Sequence, residues 1–367
     1  MAKTKLAVIG CGGMTGNYLR RMDRLEDRLE VAAAVDTDRA RARDLSDRLG
    51  GRPKVATDYH DVLDDVDAAL LVLPHHVHAE VSLACLGAGK HVLVEKPMAN
   101  TEADCLRMIE TAERTGKVLM VGYLMRYHPL ALEFKKAVDS GRWGKPFQIS
   151  MWTEQTTNRG PDHWSSRAAT LGGGQLFSHG CHYIDLLLWM LGRPLKGAHM
   201  GTNLGTPWME REGTSNVVLS FENRTLGYHF GTWGARATRL HYSFHAHCEG
   251  GMIEMQLRPH KVLALVREAR KDGGQVSAHD PQAPARAARR PRTEQREIVL
   301  YEEPSEATVK PTERELEHFL DCIETGQPPR TDGWSSLIGL QVIWKLYEAE
   351  ERGTLADLSS VDMSRFR

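Results

Sequence analysis

The sequence predicts an α/β protein in two parts: a Rossmann-type doubly wound parallel sheet, then an α+β region built on a large, mostly antiparallel open sheet. Three observations carry this. Short apolar runs alternate with helical periodicity through roughly the first 125 residues, the rhythm of a parallel sheet wound by helices. A glycine-rich turn, Gly10-Cys11-Gly12-Gly13-Met14-Thr15-Gly16, joins the first run to the first helix. Beyond Pro146, strand-like runs dominate, as in an antiparallel sheet. At 367 residues the chain exceeds what one core usually serves, and it divides most simply into 1–128 and 129–367.

Leu6 to Ile9 is the first strand, and Met14, Tyr18, Leu19, Met22 and Leu25 then recur at helical spacing. Strand, glycine turn and helix form the context of a dinucleotide fingerprint. Gly10 permits the tight turn, and Gly12 lets a pyrophosphate approach the backbone at the helix N-terminus. The third position of the fingerprint falls on Thr15, with Gly16 one residue late. The strand Val31 to Val35 ends in Asp36, where an acid holds the adenosine ribose and repels a 2′-phosphate. Arg39, Arg41 and Arg43 lie close by and could favour that phosphate, so NAD is expected ahead of NADP. Asp36 could equally cap the helix that starts near Asp38.

Val55 to Thr57 and Ala68 to Leu73 are the next strands, the latter closed by Pro74. His75, His76 and His78 follow without a partner cluster, so hydrogen bonding beside a cofactor loop is expected rather than a metal. His78 opens a helix to Ala88. His91 to Val94 is a buried parallel strand that delivers Glu95, Lys96 and Pro97 to a carboxyl edge, where such sheets bind ligands. Lys96 is the candidate to touch substrate; the alternative is a surface lysine. Pro97 fixes the backbone there and permits a cis bond. A helix from Thr101 to Thr115, opened by a capping box with Asp104, and the strand Val118 to Val121 complete the first part.

A helix from about Leu130 to Val138 leads into strands at Phe147–Thr153, Thr214–Phe221, Thr225–Thr232, His241–Cys248, Met252–Met255, Val262–Val266 and Glu297–Tyr301. The stretch 270–296, rich in Gly, Ala, Pro and Arg, reads as a mobile loop. Helices near Glu313–Glu324 and Ser335–Glu348 close the chain. His241, His245 and His247 share one strand face, more simply as polar face residues than as metal ligands. Another stretch carries chemistry: Gly172-Gly173-Gly174, then Ser178, His179, His182 and Asp185 entering a helix that stops after Leu191. Spacings of four and three put a hydroxyl, imidazole and carboxylate on one face, suited to proton transfer near neutral pH. The alternative is a capped helix with Asp185 bound to a neighbouring backbone group.

Composition excludes several classes. Lys+Arg number 47 against 48 Asp+Glu, which gives no electrostatic reason to expect nucleic acid or an acidic membrane. The six cysteines form no CxxC pair and read as reduced, cytoplasmic thiols. No signal-peptide pattern precedes the first strand, and the apolar run Ile184–Leu191 is too short to span a bilayer.

In order, Gly10-Cys11-Gly12-Gly13-Met14, Asp36, His78, Glu95-Lys96-Pro97 and Gly122-Tyr123-x-x-Arg126-Tyr127-x-Pro129 resemble the Gfo/Idh/MocA oxidoreductase family, named for glucose–fructose oxidoreductase and inositol dehydrogenase. The resemblance extends through Gly141-Arg142-Trp143-Gly144-Lys145-Pro146 and the glycine–histidine stretch to Phe319-Leu320-x-Cys322-Ile323-x-Thr325-Gly326. It implies an NAD-linked enzyme acting on a secondary hydroxyl or ketone of a sugar, polyol or glycoside. It implies catalytic roles for Lys96, His182 and His179, and substrate contacts from Ser178, Asp185, Tyr123, Arg126 and Trp164. For the cofactor it implies Gly10, Gly12, Gly13, Met14, Asp36, Thr37, Arg39, Leu73, Pro74, His75, His78, Glu95 and Lys96, with no metal. It further implies a homodimer or homotetramer formed through the second sheet, with Trp152, Phe221, Phe230 and Phe244 on the open face. Ser178 stands where many relatives have a catalytic aspartate, and Ser178-His179-Gly180 resembles the Thr-His-Gly of NAD-dependent glycosidases in the same family. Those enzymes oxidise, eliminate, hydrate and reduce with no net redox change. A non-catalytic dinucleotide or sugar sensor is the third reading; the retained Lys96 and His182 argue against it.

Overall fold

In the computed structural model, which describes residues 2–20, 22–239, 241–269, 293–303 and 310–367, two sheets share a continuous core. The first holds β1 (Thr4–Ile9), β2 (Leu29–Val35), β3 (Lys54–Ala56), β4 (Ala68–Leu71), β5 (His91–Val94) and β6 (Leu119–Val121). All pairs are parallel, in the order β3-β2-β1-β4-β5-β6. The strand order reverses between β1 and β4, and a crevice opens there beyond the carboxyl ends. The helices α1 (Thr15–Leu19), α2 (Arg39–Arg48), α3 (His78–Gly87) and α4 (Glu102–Thr115) wind between these strands. The first expected helix is shorter than its periodicity suggests: α1 ends at Leu19, and Met22–Leu25 form a separate 3-10 turn. Asp38, not Asp36, caps α2, accepting from Ala40 N. Thr101 caps α4, accepting from Asp104 N while its hydroxyl donates to the Asp104 carboxylate.

After α5 (Pro129–Asp139) the chain builds a nine-stranded sheet. Its strands are β7 (Pro146–Glu154), β8 (Pro194–Thr202), β9 (Thr214–Phe221), β10 (Leu226–Thr232), β11 (Tyr242–Cys248), β12 (Gly251–Leu257), β13 (His260–Ala269), β14 (Thr293–Glu302) and β15 (Ala356–Asp357). All pairs are antiparallel except β7 with β10. Sequence reading missed β8, whose Pro194, Gly197 and Gly201 look like a loop. Gly197 is there for packing: a Cβ would sit 2.6 Å from Leu219 Cδ2. β14 begins at Thr293, so the loop expected over 270–296 ends earlier; its remainder lies outside the described residues. His241 precedes β11 with φ of 57°, so only His245 and His247 share that strand's face.

The short α6 (Ala168–Leu171) and α7 (Cys181–Leu191) lie between β7 and β8; α8 (Thr312–Thr325) and α9 (Gly333–Glu351) follow β14. The division near residue 128 is not kept by α8. Its Leu316, Phe319 and Leu320 pack with Leu6, Val8, Tyr18 and Leu70 against the parallel sheet. The open face of the second sheet differs from expectation at two positions. Phe221 and Phe244 point into the core, 1% and 0% exposed, because strand parity puts them on the other face of the sheet from Val218 and Trp152. Trp152, Phe147 and Val218 are exposed and Phe230 is half-buried. Among the described residues no helix is long and apolar enough to cross a membrane.

Candidate active site

Strand β1 ends where Gly10 turns the chain with φ of +94°; a Cβ there would lie 2.2 Å from the Val72 carbonyl oxygen, so only glycine fits. Gly12 and Gly13 face open space, leaving their backbone free for a ligand to approach. Thr15, in the third fingerprint position, donates its hydroxyl to Gly10 O at 2.7 Å and ties the turn closed. Asp36 braces the turn from the next strand. Its Oδ2 accepts from Cys11 N at 2.8 Å and its Oδ1 from Asp38 N at 2.9 Å. Each carboxylate oxygen keeps a lone pair for a ribose hydroxyl.

The same crevice receives Lys96 from the end of β5. The Lys96–Pro97 bond is cis. The ammonium donates to the backbone carbonyl of Ser178 at 3.0 Å, joining the two halves of the chain. His78 lies behind, its ring nitrogens 2.8 Å from Pro97 O and 2.9 Å from Leu73 O. It therefore braces two loops of the crevice rather than facing it. Burial pulls its pKa down to about 4, against the two carbonyls. His75 does face the crevice. Its Nδ1 reaches Leu171 O at 2.9 Å, and the Trp164 ring stands edge-on 4.9 Å away.

Residues Leu176–Gly180 form a π turn ahead of α7. π turns inside helices concentrate at functional sites. This one offers Lys96 the Ser178 carbonyl and brings His179 and His182 into the crevice. Tyr347 holds the turn from behind: its hydroxyl accepts from Gly174 N at 3.1 Å and Phe177 N at 3.2 Å, and donates to Glu212 at 2.6 Å. Burial, then the Lys96 charge, holds both His179 and His182 well below the ordinary histidine range, so both are neutral near pH 7. His182 Nδ1 is buried with no partner among the described residues.

The crevice, about 1350 Å³, exceeds the roughly 300–1,000 Å³ of a single small-ligand pocket and has room for a cofactor with a substrate. Its two halves match two descriptions: an oxidoreductase family with an NAD-binding Rossmann fold over residues 4–123, and the GFO/IDH/MocA C-terminal domain over residues 131–254. The chain belongs to the Gfo/Idh/MocA oxidoreductase family. Among its relatives is inositol 2-dehydrogenase 2 of Saccharopolyspora erythraea, 34% identical over 226 residues. That match spans 60% of this chain and 64% of the relative, just under two thirds. Inositol 2-dehydrogenase of Salmonella typhimurium is 28% identical over 286 residues, 73% of this chain and 77% of that one. Solved structures share the fold. A levoglucosan dehydrogenase in complex with NADH gives a TM-score of 0.81 at 17% identity, covering 97% of this chain and 99% of that one. The aldose-aldose oxidoreductase of Caulobacter crescentus, complexed with glycerol, gives 0.77 at 23%, covering 97% and 100%.

In this Gfo/Idh/MocA chain the NAD-binding half presents Gly10, Gly12, Gly13, Met14, Asp36, Thr37, Leu73, Pro74, His75, Glu95 and Lys96 to the crevice. Arg39 does not line it. It opens α2 on the exposed side, and Arg41 and Arg48 line the crevice instead. From the second half Trp164, Ser178, His179 and His182 line it. Tyr123, Arg126 and Asp185, expected at the substrate, do not. Asp185 Oδ2 accepts from Arg126 Nε at 2.6 Å and Oδ1 from Nη2 at 2.9 Å, both side chains being 2% exposed. This bidentate pair ties α7 to the Leu124–Tyr127 turn away from the crevice, and Tyr123 packs edge-on against His182 with ring centroids 5.6 Å apart. A buried arginine needs such a partner, and that need overrides the helix-face argument.

Sequence reading missed Gln155, Trp233 and Tyr242. Trp233 Nε1 donates to Gln155 Oε1 at 2.9 Å, and Gln155 Nε2 to the Tyr242 hydroxyl at 2.6 Å, forming a polar wall of the crevice. They sit at one end of the neighbouring strands β7, β10 and β11. Gln155 and Trp233 follow the last residues of β7 and β10 and Tyr242 opens β11, a convergence that no local motif marks. Arg159 and Lys310 also line the crevice without belonging to any motif.

Proposed function

We propose that this family member is an NAD-dependent dehydrogenase or reductase acting on a secondary hydroxyl or ketone of a polyol or sugar, with a cyclic polyol such as inositol the first substrate to test. The observation that carries this is the Lys96–Ser178 contact, which sets a strand-end lysine and two neutral histidines against a glycine turn built for a dinucleotide. The turn at Gly10–Gly13 would hold the pyrophosphate and Asp36 the adenosine ribose. Bound NAD supplies the hydride acceptor or donor. Lys96 spends one of its three N–H donors on Ser178 and keeps two for the reacting oxygen, favouring the alkoxide-like transition state. His182, neutral, takes the hydroxyl proton in oxidation and returns it in reduction. The Gln155–Tyr242 wall fits the remaining hydroxyls of such a substrate.

One observation favours a second reading. His179 enters the crevice beside His182, ring centroids 6.0 Å apart, which supplies two acid–base groups where a simple dehydrogenase needs one. A redox-neutral glycosidase uses both. Incubation with polyols, keto-sugars and glycosides, following nicotinamide absorbance and released aglycone, separates them. NADH formed in step with substrate supports the dehydrogenase; aglycone release without net NADH supports the glycosidase.

A further inference from the structure

Behind Lys96 three buried groups meet. Tyr18 lies on α1, Glu95 directly follows β5 and Glu315 lies on α8. The Tyr18 hydroxyl is 2.9 Å from Glu95 Oε1 and 2.9 Å from Glu315 Oε2. A phenol has one proton to donate. Were both carboxyls ionised, one would face an oxygen lone pair at hydrogen-bonding distance, out of water and near a second negative charge. The cluster closes only with one more proton: a carboxylic acid donates to the Tyr18 oxygen, and Tyr18 donates to the other carboxylate. Glu315 is the group that keeps it. It is fully buried, its Oε1 has no partner among the described residues, and none of their cations bonds to it. Glu95, in contrast, lines the crevice beside Lys96, and its Oε2 lies 3.3 Å from Lys96 N.

We propose that Glu315 is a neutral carboxylic acid that, through Tyr18, holds the Glu95 carboxylate in place beside Lys96. Glu315 and Tyr18 are then positioning residues for the hydride-transfer site, a role that rests on the function proposed above. Burial and the Glu95 charge push Glu315 well above the carboxylate range, while Tyr18 and Lys96 pull it down. The groups around it are Tyr18 from α1, Glu95 and Lys96 from the end of β5, and Tyr127 from the turn before α5. On α8 itself, Glu313 pairs with Arg24 of the Met22–Leu25 turn, and the His318 ring lies tilted against Tyr127 with centroids 5.4 Å apart. Ionising Glu315 would put two negative charges on one hydroxyl and release Glu95.

The test uses the whole chain. An infrared difference spectrum at pH 7, wild type against Glu315→Gln, is expected to show a carboxylic-acid carbonyl band that the variant lacks. No such band means an ionised Glu315 and overturns the proposal. Glu315→Leu, unable to donate to Tyr18, is expected to lower kcat roughly 10- to 100-fold with KM little changed, and Glu315→Gln, able to donate, to restore it. Tyr18→Phe, which keeps the ring, is expected to show the same loss of kcat with the fold kept, and it carries the test if the leucine variant fails to fold. An unchanged kcat in Tyr18→Phe, or a fall matched by lost folded protein, overturns the positioning role. The spectrum needs no substrate, so a chain that turns over none of the compounds tried would defeat the proposed function while the band still decides the proton.

Discussion

The glycine turn at residues 10–16 and the histidine stretch at residues 174–185 both line one crevice, yet they are built differently. The turn works through its backbone. Gly10 is demanded by the Val72 carbonyl, Gly12 and Gly13 leave their backbone open to a ligand, and Asp36 braces the loop through two amide N–H groups. The histidine stretch works through side-chain directions, and those are set from elsewhere: by a π turn, by Tyr347 behind it, and by Arg126, which takes Asp185 away from the crevice. Backbone-built sites are specified by local residue types. Side-chain-built sites depend on partners far along the chain.

If that contrast holds, the largest single-residue effect belongs to the second region. His182→Ala is expected to lower kcat by about 10²- to 10⁴-fold, the range for a general acid–base group, while NAD affinity measured by calorimetry stays near wild type. His179→Ala is expected to cost less. Equal losses would make the two imidazoles one unit and favour the glycosidase.

Acid should destabilise the fold through its buried histidines. Burial holds His229 near 3, and His179 and His182 well below the ordinary range. The unfolded chain binds these protons below pH ~6.5 and the folded chain does not, so unfolding is favoured as pH falls. Stability is fully present above pH ~6.5 and is lost toward the folded pKa, by about 2 kcal/mol for His229 at pH 5. Urea midpoints at pH 7, 6 and 5 check this. A flat profile would mean that these rings are charged in the folded state.

Asp36→Ala probes the first region. Wild type is expected to bind NAD more tightly than NADP, and the variant to narrow the gap by roughly 10-fold, one pair of hydrogen bonds to a charged group. Calorimetry with both cofactors reads it; a wild-type preference for NADP would remove Asp36 as the determinant. The smallest expected effect is on assembly. The open face with Trp152, Phe147 and Val218 is expected to pair with a second copy, and light scattering at micromolar concentration that gave one chain's mass would refute this.

The strands of the first sheet and their parallel winding, the Gly10 turn and the Lys96 strand end were legible because apolar runs, glycines and a strand-ending proline act locally. Strand-like runs also marked most of the second sheet. β8 was hidden because its glycines serve packing against Leu219 rather than a turn. Spacing along α7 put Asp185 beside His182, but Arg126, 59 residues away, decides where its carboxylate points. Gln155, Trp233 and Tyr242 were invisible because three strands must pair before they meet.

The most direct measurement follows a polyol carrying deuterium at the reacting carbon, in a single turnover with NAD, for wild type and Lys96→Met. The expected result is one deuterium on the nicotinamide for each polyol oxidised, and a transfer rate at least ~100-fold slower in the variant with NAD affinity unchanged. Transfer at the wild-type rate by Lys96→Met, or cleavage of a glycoside with no deuterium retained on the nicotinamide, would contradict it.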